Sequence, residues 1–227
     1  MGIDRKVMVS LWFRGRSEEV KHELHYLRDY SDHLERFLAE RFNAFKERIK
    51  TEAKKLSNEA RDDFYEWHSD EYLELSEELP NRLRGSLFVT VMFILEHRLN
   101  EFCVMCQKAS GSRLVLNDMA DKGIYRARKY LNKVFEINFP DSPAFWEKID
   151  IFQIIRNAIA HNDGNVNQEV DKLNDYISKM ESASFKLESS KILLNDSFVT
   201  EAIDLIQGCL VSLYKQLDKN ITKDAVS

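Results

Sequence analysis

Glycine and proline are scarce in this chain, at 7 and 3 of its 227 residues. All-β and loop-rich folds need many turn residues, so these counts argue against both. Cysteine is scarce too, and its count of 3 is odd. No disulfide framework is expected, and a reducing compartment, the cytoplasm, fits best. An excess of positive charge is also missing: 33 Lys and Arg face 38 Asp and Glu, a formal net charge of −5. Global attraction to nucleic acid or anionic membrane is thereby excluded, and any phosphate binding falls to a local cluster. Long apolar runs are absent, and the most apolar stretch, residues 87 to 95, is far below membrane-spanning length. Residues 7 to 13 are apolar but short, flanked by charge and without a small-residue cleavage site, so no secretory signal is read. Lys6 breaks the myristoylation pattern that Gly2 could open.

What is present is helical patterning. Hydrophobic residues make up 44% and charged residues 31%, enough to build a core. Residues 3 to 13 fit a short strand or a docking segment. Ser17, followed by Glu18 and Glu19, reads as a helix N-cap. Val20, Leu24, Leu27, Leu34, Leu38, Phe45, Ile49 and Leu56 then recur at steps of three, four and seven, which predicts a long amphipathic helix or helical hairpin. Ser57 and Asn58 interrupt it, and a charged helix follows to about Leu79. Pro80 marks a boundary. Residues 82 to 107 form the most apolar helix, a core element. A loop at 109 to 113 leads to a basic helix capped by Asn117 or Asp118 and ending near Phe135. Ser142 is read as the cap of the next helix, and Gln168 to Met180 as a further amphipathic one. Residues 185 to 187 and 192 to 194 fit a small hairpin, and a last helix, capped by Asp196 or Ser197, reaches Leu217. The expected fold is all-α: a helical arm over 1–79, a bundle over 80–220 and a tail over 221–227, with room for one small β-hairpin.

The sharpest local feature is Arg156-Asn157-Ala158-Ile159-Ala160-His161. It closes an apolar run and opens onto Asn162-Asp163-Gly164, a helix stop. At about 100° per residue, Ile151, Phe152, Ile155, Ala158 and Ile159 share one side. Asp150, Gln153, Asn157 and His161 make a polar stripe opposite, with Arg156 at its flank. Spacing alone is unspecific, since Arg16/His22, Arg28/His33 and Arg61/His68 stand at similar intervals. Their spacers are charged, as on a solvated face, whereas the spacer from Arg156 to His161 is almost wholly apolar.

The run Ile155 to Asp163 resembles the signature of the HEPN superfamily: Arg, a polar residue, a mostly apolar spacer, then His. The resemblance covers about residues 80 to 217 and leaves the arm before them unmatched. It implies an all-α bundle that dimerises so that two motifs face each other in a composite active site. It also implies metal-independent endoribonuclease activity of the toxin or antiviral-defence type, with RNA as substrate and an antitoxin or defence component as a further partner. No cofactor, metal or membrane is implied. His161 is then the acid/base, Arg156 the phosphate clamp and Asn157 the positioner. The chemistry suits these residue types, because histidine exchanges protons near neutrality and arginine offers a permanently charged fork for phosphate oxygens. The alternative within the same resemblance is a non-catalytic helical module that binds a partner protein or nucleotide.

Other candidates are weaker. Glu96 and Asn100 lie one turn apart on the apolar helix, and Glu96 is a candidate ion-pair partner for Arg156. Arg126, Lys129 and Lys133, with Tyr125, Arg128 and Tyr130 among them, could hold RNA phosphates and stack bases, although a solvated amphipathic helix has the same pattern. Cys103 and Cys106 spell a C-x-x-C with no second pair, and read as buried core thiols. His22 and His25, and the run His68 to Glu71, lack the further ligands of a metal site. No Walker, Rossmann or nucleophile-elbow pattern is present.

Overall fold

A computed structural model describes residues 5–137 and 143–223. Helix α1 (Arg5–Ala53) is followed by α2 (Asn58–Trp67), α3 (Ser69–Leu73), a π-helical turn (Glu74–Glu78) and α4 (Leu79–Ser110). A 3-10 turn (Leu116–Asp118) leads to α5 (Gly123–Phe135), α6 (Pro143–Asn162) and α7 (Val170–Ser178), then strands β1 (Phe185–Glu188) and β2 (Lys191–Leu194), and finally α8 (Phe198–Lys223). The fold is mostly helical with one small antiparallel sheet, as the turn-poor composition requires. The expected Ser142 cap lies outside the described residues, as do 224–227 of the expected tail, whereas 221–223 continue α8.

Several local expectations need correction. Residues 5 to 13 are helix, not strand, and Ser17 is buried within α1 instead of capping it. Phe13, Val20 and Leu24, all buried, are separated by seven and four positions, so the core stripe already runs through the segment before Ser17 and carries the helix with it. Asn117 and Asp118 do not cap α5. Asp118 instead accepts from the Val115 backbone N–H at 2.8 Å, closing a separate turn. Helix α5 begins at Gly123, whose φ is +56°, and a Cβ there would stand 3.4 Å from the Glu96 carboxyl carbon. Glycine satisfies both constraints at once. Pro80 lies inside a helical run. Its ring removes an N–H and would press on the carbonyl four residues back, and the wide turn just before it, with Leu79 N–H reaching back to the Glu74 carbonyl, opens the room it needs.

By compactness the chain divides into residues 1–27, 89–153 and 202–227, and residues 28–88 and 154–201. This division does not follow chain order, because α1, α4, α6 and α8 each contribute to both units. In the first unit Phe13, Phe102 and Tyr214 gather their rings at 5.4 to 6.4 Å. Arg98 there bonds Glu23 at 2.7 Å and Glu101 at 2.8 Å.

In the second unit the α1–α2 break is a capped hairpin. Ser57 accepts from Ala60 N–H at 3.4 Å, and Arg48 ties the two sides by bonding both oxygens of Glu71 at 2.7 Å. The same unit holds the β-hairpin, in which Phe185 pairs with Leu194 and Leu187 with Ile192. Residues 192 and 194 turn their backbone groups to the other edge of β2, where helix side chains and the turn after α6 receive them. Asn81 donates to the Ile192 carbonyl at 2.9 Å and accepts from Leu194 N–H at 2.8 Å. Arg84 donates to the Leu194 carbonyl at 2.8 Å while its other nitrogens hold Glu35 at 2.6 and 2.7 Å. Ile192 N–H donates to the Gly164 carbonyl at 3.0 Å. A two-stranded sheet is marginal alone, and here its open edge is completed by α4 and by the turn after α6. Inside, Phe198 sits 4.8 Å from Phe88 and 5.9 Å from Phe185.

Asn81→Ala orphans a donor and an acceptor on β2, and lowers unfolding free energy by about 1–3 kcal/mol in urea titration. A Cβ on Gly85 would stand 3.3 Å from Ile159 Cγ2, so Gly85→Leu overpacks the contact of α4 with α6 and destabilises by about 1–3 kcal/mol, read as a lower Tm.

Candidate functional site

The last two turns of α6 carry the Arg-Asn-His set. Ile155 and Ala158 are buried and hold the helix to its core. Ile159 packs where α4 has only Gly85, the closest approach a side chain there permits. The stop is built from positive φ at Asp163 (+50°) and Gly164 (+82°). Gly164 N–H closes back on the Ala158 carbonyl at 3.0 Å, and Asn165 N–H on that of Asn162 at 2.9 Å. Asn162 to Gly164 therefore stop the helix as their residue types foretold, with aspartate and glycine in the left-handed region that both tolerate. The next residues pair with the hairpin, Val166 N–H donating to the Ser190 carbonyl at 2.8 Å. The end of α6 is thus clamped by α4 and by β2.

On this clamped end Arg156 is half-buried, while Asn157 and His161 are exposed. Arg156 Nη1 donates to Asn157 Oδ1 at 3.0 Å. The amide oxygen is therefore turned to the guanidinium, which leaves the amide nitrogen as a donor, and His161 follows one turn later on the same helix. The arrangement offers a fixed cation, an amide donor and a titratable imidazole on one solvent-facing patch.

The supporting candidates have neighbours of their own. Glu96 and Asn100 belong to the other compact unit from Arg156. Glu96 lies against Gly123, and Asn100 Oδ1 is buried without a hydrogen-bond partner. On α5, Arg126 is half-buried with its Nε unpartnered, Lys129 is paired with Asp121 at 2.9 Å, and Lys133 is exposed. Arg128 stacks over Trp146 at 3.8 Å. Tyr125 donates to Asp150, and burial together with that bond pushes its hydroxyl well above the usual range. The four α5 cations are therefore unequal, with Lys133 the most open to a phosphate. Burial pushes the Cys103 and Cys106 thiols up to about 12, which keeps both protonated and inert at neutral pH. Among the described residues no three His, Cys, Asp or Glu side chains gather as a metal site.

Two features were not read from the sequence. One is a cleft of about 660 Å³ lined by Glu77, Glu78, Arg82, Ile159, Asp163 and Lys191 among others. It meets α6 on the side of Ile159 and Asp163, and His161 is not in its lining. The other is charge segregation. Residues 58 to 78 hold nine carboxylates against one arginine, so the rest of the chain carries +3 once that −8 is removed from −5. A running charge count would have found it. No helix among the described residues is long and apolar enough to cross a membrane. No protein-family model, curated protein or solved structure matches this chain.

Proposed function

We propose that this chain is a metal-independent endoribonuclease of HEPN type that acts in the cytoplasm as a toxin or defence enzyme. The observation that carries the reading is the patch on α6: a half-buried guanidinium bonded to an amide, with an exposed imidazole one turn on. His161 takes the proton from a ribose 2′-OH, and that oxygen attacks the adjacent phosphorus. Arg156 holds the phosphate oxygens as charge develops on them, and Asn157 donates from its free amide nitrogen. The P–O5′ bond then breaks, leaving a 2′,3′-cyclic phosphate and, once protonated, a 5′-OH. The proton for that leaving oxygen must come from a second group. In this reading it is His161 of a second copy, which makes the active site a composite of two chains.

Two further points support the reading. His161 is solvent-exposed, which leaves its imidazole accessible to RNA and to a second copy. Outside residues 58 to 78 the chain is net positive, so a polyanion is not repelled from the rest of the surface. The same exposure of His161 also favours a second reading, a non-catalytic HEPN-type module that binds a partner protein or nucleotide through this patch.

Total RNA and tRNA incubated in EDTA separate the two. The enzyme reading expects cleavage with cyclic-phosphate ends, lost at least about a hundredfold in His161→Ala and Arg156→Ala, with both variants folded by circular dichroism. Equal cutting by wild type and variants, or none by the wild-type dimer, removes it.

A further inference from the structure

Beyond any chemistry on α6, we propose that the hairpin formed by the end of α1 with α2 and α3 is a docking surface for a basic, amphipathic segment of another protein. An apolar cleft of about 390 Å³ opens there, lined by Phe45, Ile49, Tyr65, His68, Ser69, Tyr72 and Leu73. Its floor belongs to the small core of Phe45, Ile49 and Leu75, with Phe42, Phe64 and Leu79 packed against it. Its walls are unusually open: Tyr65, Tyr72 and Leu73 are each about half exposed, and Trp67 nearby is 85% exposed. Solitary exposed hydrophobics are ordinary on a protein surface, but here four fall within nine positions and three of them line one cleft, which marks an interaction site. Aromatic anchors of this kind dominate binding energy where they become desolvated.

The charge around the cleft decides the occupant. Residues 58 to 78 carry nine carboxylates and one arginine. Asp62, Asp63, Glu66, Asp70 and Glu74 are exposed and make no ion pair among the described residues. Arg61 is turned inward, onto the Ala53 carbonyl and Asn58. Arg48 is held by Glu71. The α2–α3 side of the cleft thus disfavours a nucleic acid or an anionic membrane, while the α1 side carries Lys46, Arg48 and Lys50. A helix that presents leucine-like side chains to the cleft and Lys or Arg to the rim is attracted over distance and anchored on contact. The rigidity of the receptor side favours this, because Tyr72 is already packed on Phe42 at 5.3 Å and His68 on Phe64 at 4.4 Å.

The test titrates the full chain with a synthetic peptide of leucine and lysine patterned to be amphipathic as a helix, following tryptophan fluorescence and heat. A Trp67→Phe variant assigns the optical signal, since the remaining two tryptophans lie elsewhere. Binding is expected to weaken at least about tenfold between low and high salt. It should weaken about tenfold or more in Tyr65→Ser, and be lost in the exposed triple change Asp62→Lys, Asp63→Lys, Glu66→Lys. A peptide of equal charge with serine replacing leucine should bind at least about tenfold more weakly. Equal binding of the two peptides, binding untouched by the variants, or no binding at all overturns the proposal. So does a change of oligomeric state in the charge-reversed variant, which would make the occupant a second copy. None of these readouts involves RNA cleavage, so this proposal and the enzyme reading fail independently.

Discussion

The outer edge of β2 is the junction on which the second unit depends. Four backbone groups of Ile192 and Leu194 would be unpaired without Asn81, Arg84 and Gly164. An unmet backbone group away from water is costly, so the hairpin, α4 and the turn after α6 hold together as a set. Arg84 extends the set to α1 through Glu35, with the two side chains 15% and 22% exposed. The guanidinium meets a carboxylate and a carbonyl with the same planar fork, a geometry that lysine could not reproduce. The consequence for function is local rigidity. The helix end that carries Arg156, Asn157 and His161 is fixed from two sides, by Gly85 of α4 and by β2.

Charge is distributed with a similar division of labour. The formal −5 of the whole chain conceals a −8 segment and a positive remainder. Within the basic helix α5 the cations are also differentiated, by Asp121 on Lys129 and by the Trp146 ring under Arg128. Net charge alone hides both facts, because it averages over surfaces that a ligand meets one at a time.

The end of α6 was legible to the extent that it is local. The stop at Asn162 to Gly164, the buried face of Ile155 and Ala158, and the exposure of Asn157 and His161 all follow from helical period and left-handed tolerance. The partner of Arg156 did not follow, since an adjacent amide, Asn157, accepts from it. Ser17 and Asn117 show the limit of reading caps from residue type. Both are good capping residues, yet Ser17 lies under a core stripe that continues past it, and the start of α5 is set by Gly123 against Glu96.

By itself the sequence determined the helical class, the buried thiols of Cys103 and Cys106, a hairpin at 185–187 and 192–194 that the structure extends by one residue on each strand, and the place where α6 stops. These rest on composition, on apolar period and on the φ preferences of Gly, Asp and Asn, which act within a few residues. Tertiary structure alone decided that Asn81 completes a strand 111 positions away, that Gly85 admits Ile159, and that α1, α4, α6 and α8 each contribute to both compact units. Such pairings depend on which surfaces meet after the helices form, and sequence spacing carries no record of that meeting.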